Sequence, residues 1–331
     1  MQIGNNLIGE GHPCFIIAEA GLNHNGMPEM AAQLIESAAD CGADAVKFQT
    51  YLTHELFAPD HPEYDKFERM QLSRDVYNDL RKIADQCGIV LLSTPFDEIS
   101  VDLLYELGVP AFKIGSGELT HLDFLRFAAS KKKPMVLSTG MSTPSQVDAA
   151  VAVLQEAAAE FALLHCVSSY PCPPELARIR SVSSLREKYS VPIGYSDHTT
   201  GVEAALAAVA LGACIIEKHF TLSKNLPGWD HFFSTDPDEL KRLVASVRVT
   251  ESVLGSAEKI VQDAERPIES IARRALYARR RLKAGEVLTR NDVLVRRPLG
   301  PISAEKLDDY VGRALTCDVG SQCAFKPGDF Q

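Results

Sequence analysis

The sequence predicts a (β/α)8 barrel followed by a small β-rich domain, and three observations lead there. Short apolar runs alternate with longer stretches of helical periodicity, one pair after another along residues 1–257. Eight such units fit the roughly 250 residues typical of this barrel. Polar residues follow every one of the strand-like runs. An open doubly wound sheet usually has fewer strands and often carries a Gly-rich dinucleotide fingerprint, which this sequence lacks.

The strand candidates, in order, are Cys14 to Ala18, Ala45 to Gln49, Val90 to Ser93, Ala111 to Ile114, Pro134 to Ser138, Phe161 to Cys166, Pro192 to Ser196 and Ile215 to Glu217. Helical periodicity follows them, as at Met27 to Asp40, Val76 to Cys87, Ser145 to Ala158, Gly201 to Leu211 and Asp238 to Leu254. Thr143-Pro144 and Asp236-Pro237 read as helix starts, a capping side chain before a proline that needs no donor. Residues 258–270 are polar, carry Pro267 and read as a linker. Residues 271–331 hold the short β-like runs Ala275 to Ala278, Val293 to Arg296 and Ala314 to Val319, separated by turn signals such as Lys283-Ala284-Gly285.

Composition narrows the function. Of 331 residues, 46% are apolar and 24% charged, as in ordinary globular proteins. A net charge of −10 argues against non-specific nucleic-acid binding, which needs a basic surface. It leaves room for an anionic substrate held by a few local lysines. The eight cysteines include no Cys-x-x-Cys pair, and Cys14, Cys166 and Cys214 sit in apolar runs. With no leader-like opening and no membrane-length apolar run, the expectation is a reduced, soluble, cytoplasmic protein.

A parallel barrel works at the carboxyl ends of its strands. Those ends present Glu19 and Asn23-His24-Asn25-Gly26, then Lys47, Gln49 and Thr50, then Ser93-Thr94-Pro95-Phe96. Next come Lys113 with Gly115-Ser116-Gly117-Glu118, and Ser138-Thr139-Gly140. Ser168-Ser169-Tyr170-Pro171, Ser196-Asp197-His198-Thr199 and Glu217-Lys218-His219-Phe220 complete the ring. Two lysines and many hydroxyls suit a small, multiply charged anion. His198 and His219, on neighbouring strand ends, suit a divalent metal. A single strand-end lysine is ordinarily a solvated charge, and a single histidine ordinarily a packed one. Polar groups at the same end of all eight strands are not what those readings produce. Trp229 reads equally as a packed loop aromatic and as a wall of a sugar site.

These stretches resemble the sialic acid synthase family over nearly the whole chain. The likeness rests on Ile16-Ile17-Ala18-Glu19, Asn23-His24-Asn25-Gly26, Gly42 to Thr50, Ser93 to Phe96 and Lys113 to Glu118. It continues through Leu137 to Met141, Tyr170-Pro171, Ser196 to Thr199 and Glu217 to Thr221, and the C-terminal part resembles that family's antifreeze-like (SAF) domain. The resemblance implies that Lys47, Thr94, Lys113, Ser116, Gly117, Ser138 and Ser196 hold phosphoenolpyruvate. It implies His198 and His219 as ligands of Mn2+, with Mg2+ or Co2+ as alternatives, and Glu118 beside the metal and its water. Glu19, Gln49, Tyr170 and Asp230 would contact an amino sugar. Arg297 would reach the site of a second subunit in a domain-swapped homodimer. A pyruvate aldolase and a non-catalytic sugar-binding barrel are the rival readings. Trp229 stands where many relatives have proline, Ser168 where some have asparagine, and the loop Leu56 to Arg69 matches poorly. All three departures fall toward the sugar and leave its identity open.

Overall fold

Eight parallel strands build the sheet of the first unit: β1 (Phe15–Gly21), β2 (Ala45–Thr50), β3 (Val90–Pro95), β4 (Phe112–Ile114), β5 (Met135–Ser138), β6 (Phe161–Cys166), β7 (Ile193–Asp197) and β8 (Ile215–His219). Their hydrogen-bonded order is β3-β2-β1-β8-β7-β6-β5-β4. The two end strands, β3 and β4, also lie side by side, which curls the sheet into a nearly closed (β/α)8 barrel. The structure, a computed structural model, describes residues 1–331 and divides into Met1–Gly255 and Ser256–Gln331.

One long helix follows each strand: α1 (Pro28–Asp40), α2 (Arg74–Cys87), α3 (Glu98–Leu107), α4 (Leu122–Ser130), α5 (Pro144–Glu156), α6 (Ser181–Lys188), α7 (Glu203–Ala210) and α8 (Pro237–Leu254). Their ends show why they start and stop. Thr143 and Gln146 form a capping box at α5, as do Asp236 and Glu239 at α8, each with proline in the first turn. Gly88 (φ 69°) closes α2 in the left-handed conformation that a residue without Cβ adopts freely. Strand β1 runs to Gly21 and β8 to His219, two or three residues beyond the expected ends, because both continue pairing upward into the mouth.

The alternation along the strands positions the site. Ile16, Ala18, Val46, Phe48, Leu91, Phe112, Leu137, Leu163 and Ile216 face outward into one apolar layer with the helices. The opposite parity fills the barrel. Its lower half is apolar, with Phe15, Ile17, Ala45, Leu92, Ala111, Val136, Leu164 and Ile215, and Ile3 and Ile8 from the N-terminal hairpin join that cluster. Two residues further up the same faces come Glu19, Lys47, Thr94, Lys113, Ser138, Cys166 and Glu217. The barrel is therefore packed below and polar above.

In the second unit β9 (Ala275–Ala278) pairs antiparallel with β10 (Val293–Arg296). The third expected strand, Ala314 to Val319, makes only isolated bridges to Val287, Leu282 and Phe330. Leu276, Leu288, Val293, Phe325 and Phe330 are among the residues of its separate core. The stretch 258–270 is not featureless. It holds a 3-10 turn at Asp263–Glu265 and the start of a helix, Arg266–Ala272. No helix in the chain is long and apolar enough to cross a membrane.

Candidate active site

A cavity of about 480 Å3 opens at the carboxyl ends of the strands. Of the residues singled out from sequence, Glu19, Lys47, Gln49, Thr94, Lys113, Ser116, Gly117, Ser138, Tyr170, Ser196, His198, His219 and Asp230 line it. Strand register brings them together: Glu19 pairs with His219 on one side and Lys47 on the other, and Gln49 pairs with Thr94.

The floor is a cluster of two ammonium and two carboxylate groups, all buried. Lys47 Nζ lies 2.5 Å from Glu19 Oε2 and 3.6 Å from Glu217 Oε2, and donates to Thr94 Oγ1 at 2.9 Å. Lys113 Nζ donates to Ser138 Oγ at 2.7 Å and lies 3.5 Å from Glu217 Oε1. Ser196 Oγ donates to the same Glu217 oxygen at 2.8 Å. Burial raises a carboxyl and lowers an ammonium, while an opposite charge does the reverse. For Glu217 burial is outweighed by Lys113, Lys47 and Ser196, which hold it at about 2. For Glu19 burial wins over the pull of Lys47, and the group rises to about 7. Burial likewise dominates at Lys113 and lowers it. At Lys47 burial is overcome by Glu19 and Glu217, and the net direction is up.

Glu217 was not among the expected site residues, although it stands at a strand end. Its parity betrays it, since it lies two residues before His219 and so shares its face. Above the floor, Gly140 lets Ser168 and Ser116 close in on the backbone after β5: a Cβ there would sit 2.4 Å from Ser168 Oγ and 2.7 Å from Ser116 Oγ. Gly140 N–H donates to Ser116 Oγ at 3.0 Å. Ser168 Oγ and Glu217 Oε2 are buried without a hydrogen-bond partner. Two ammonium groups and converging hydroxyls match a compact phosphorylated carboxylate.

The imidazoles of His198 and His219 stand with ring centroids 5.2 Å apart. His198 Nδ1 lies 2.7 Å from the Val167 carbonyl. Donation to that carbonyl would leave Nε2 bare, the usual outer support of a metal-binding imidazole. His219 Nδ1 is buried without a hydrogen-bond partner and lies 3.6 Å from Asp230 Oδ2. Burial, followed by His198, holds His219 well below its ordinary range and so neutral, the form that binds metal. No three His, Cys, Asp or Glu side chains are grouped tightly enough to cage an ion by themselves. Two imidazoles with room beside them fit an open catalytic site, completed by water and substrate, rather than a closed structural one.

The outer wall is aromatic. Trp229 lines the cavity, with Phe67 at 5.7 Å edge to face and Lys66 Nζ 3.1 Å above its ring. Trp229 thus both packs within its loop and lines the cavity. Lys66, Phe67 and Met70 come from a short helix (Tyr64–Met70) that overlaps the poorly matching loop. Glu118 is not a lining residue. The 3-10 turn Ser116–Glu118 presents Ser116 and Gly117 inward and leaves the half-buried Glu118 carboxylate 3.9 Å from His121. Arg297 belongs to the second unit, just after β10.

The chain matches the NeuB family over residues 34–259 and the SAF domain over residues 273–331. It is 39% identical to the N,N'-diacetyllegionaminic acid synthase of Legionella pneumophila, over 95% of this chain and 93% of that one. It is 35% identical to the human N-acetylneuraminate-9-phosphate synthase, over 94% and 91%. A solved structure of N-acetylneuraminic acid synthetase from Leptospira borgpetersenii superposes with a TM-score of 0.78 at 37% identity, covering 81% of this chain and 94% of that one.

Proposed function

The chain belongs to the NeuB family and is a nonulosonic acid synthase, and from that premise we propose that it condenses phosphoenolpyruvate with an N-acylated amino-hexose, releasing phosphate. The hexose is N-acetylmannosamine or a diacetamido-trideoxyhexose. The observation that carries the reading is the buried Lys47–Lys113–Glu217 cluster beside the paired imidazoles of His198 and His219.

Phosphoenolpyruvate brings up to three negative charges. Lys47 and Lys113, now neutralised by Glu19 and Glu217, would turn to its carboxylate and phosphate. Thr94, Ser116, Ser138 and Ser196 would donate hydrogen bonds. Holding C3 against the sugar aldehyde removes much of the entropic barrier. His198 and His219 would hold a divalent ion, Mn2+ foremost, which supplies Lewis-acid stabilisation of charge on a carbonyl oxygen. Asp230, Gln49 and Tyr170 would orient the sugar against Trp229. Water then adds at C2, and the resulting tetrahedral carbon expels phosphate with C–O cleavage. Glu118 is the proposed proton carrier for that water, reaching it by rotation about the turn that bears it.

We place the protein in the cytoplasm, where its eight free cysteines would stay reduced. A domain-swapped homodimer would let the partner's Arg297 read the acyl-amino group. The test is phosphate release from phosphoenolpyruvate against a panel of amino sugars. Release should require both substrates and a divalent ion. A pyruvate aldolase would release none, and a binding protein would turn over nothing.

A further inference from the structure

Above the barrel core lies an ion pair that the cavity does not use. Lys218 Nζ and Asp197 Oδ2 are 2.6 Å apart, with side chains 2% and 0% exposed. Neither residue lines the cavity. Asp197 Oδ1 accepts from Thr199 N–H and Thr199 Oγ1, both at 2.8 Å, and from Tyr195 OH at 3.1 Å. Lys218 also donates to the Thr199 carbonyl at 2.6 Å. Each charge is thus tied to the loop that follows His198.

Outward positions within the other strands are apolar or, as at Thr50, Ser93 and His165, polar without a fixed charge, and none carries a Lys, Arg, Asp or Glu. A buried pair gains little stability over apolar residues of the same volume, so a role in geometry is the better account. Its location supplies one. The β7–β8 ladder runs Tyr195–Ile216, Ser196–Glu217, Asp197–Lys218, and stops there. His198 and His219 lie one residue beyond that last rung, where no backbone ladder fixes the separation of β7 from β8. We infer that the Asp197–Lys218 pair is a positioning device: it locks the last rung and Thr199, and so sets the spacing of the two imidazoles for one divalent ion. The inference rests on the metal reading of the previous subsection.

The test titrates Mn2+ by electron paramagnetic resonance into the full chain, the charge-free double variant Asp197→Asn/Lys218→Met, and Thr199→Val. The double variant keeps Asn as an acceptor for Thr199 and Tyr195. It should unfold within a few degrees of the native chain and bind inorganic phosphate within about twofold, yet bind Mn2+ at least ~10-fold more weakly, the usual scale for a lost outer support. Thr199→Val, which keeps both charges, should weaken Mn2+ binding a few-fold, and unchanged binding there overturns the inference even if the double variant does not fold. Native-like Mn2+ affinity in a folded double variant also overturns it, as does a parallel loss of phosphate and Mn2+. A native chain that binds no Mn2+ would overturn the metal reading itself, and the inference with it.

Discussion

Replacing Glu217 by glutamine isolates what the buried cluster does. The carboxylate lies 3.5 Å from Lys113 and 3.6 Å from Lys47, and glutamine keeps its shape and its bond to Ser196. At an effective dielectric near 20 each attraction is about 5 kcal/mol before desolvation is set against it. Breaking such a buried network by removing one partner typically costs about 3–5 kcal/mol, because the remaining charges stay buried. For a unit of this size that lowers the melting temperature by roughly 6–20 °C. The two ammonium groups then share no carboxylate, and only Lys47 keeps one, in Glu19. An added anion should supply the missing charge, so phosphate or phosphoenolpyruvate should raise the melting temperature of Glu217→Gln more than that of the native chain. Thermal unfolding with and without phosphate reads both effects. A variant as stable as the native chain, or one that gains no more from phosphate, would refute the reasoning.

Glu19, lifted by burial to about 7, is protonated in the fold well above its ordinary 4.5, so its ionised form is favoured only as pH rises through about 7. There it competes for Lys47, so phosphoenolpyruvate affinity should fall above that pH. Binding near pH 7 should take up a proton, which calorimetry in buffers of different ionisation enthalpy detects. Glu19→Gln should abolish the uptake, and none in the native chain contradicts this. Gly140→Ala would push a methyl to 2.4 Å from Ser168 Oγ and 2.7 Å from Ser116 Oγ, side chains able to turn away, so the fold should persist while the KM for phosphoenolpyruvate rises about 10-fold as the Ser116 hydroxyl is displaced from the anion. An unchanged KM would remove Gly140 from the anion site. Trp229→Ala should raise the sugar KM roughly 10-fold and leave that for phosphoenolpyruvate alone, as expected from one lost aromatic contact. Equal effects on both would contradict a sugar wall.

Most of the barrel and its floor were legible because strand ends carry the chemistry, and each polar end residue was visible beside an apolar run. Glu217 escaped because Glu217-Lys218 looks like a solvated pair. Its real partners, Lys47 and Lys113, are distant in sequence, and only strand parity separates the inward Glu217 from the outward Lys218. The role of Glu118 came from the family resemblance alone, and the 3-10 turn that carries it, Ser116–Glu118, directs its carboxylate toward His121. Phe67 and Met70 stand in the short helix Tyr64–Met70, with no long periodicity to announce which face meets Trp229. In the second unit, Ala314 to Val319 has the apolar content of a strand but finds bridges on several sides instead of one ladder partner.

The central claim is a condensation that expels phosphate by cleaving carbon from oxygen at C2. Phosphoenolpyruvate labelled with 18O in the oxygen between C2 and phosphorus, turned over with an N-acylated amino-hexose, tests it most directly. All of the label should leave with inorganic phosphate. Label retained in the acid product would mean that phosphorus, not C2, loses the bond, and would contradict the account.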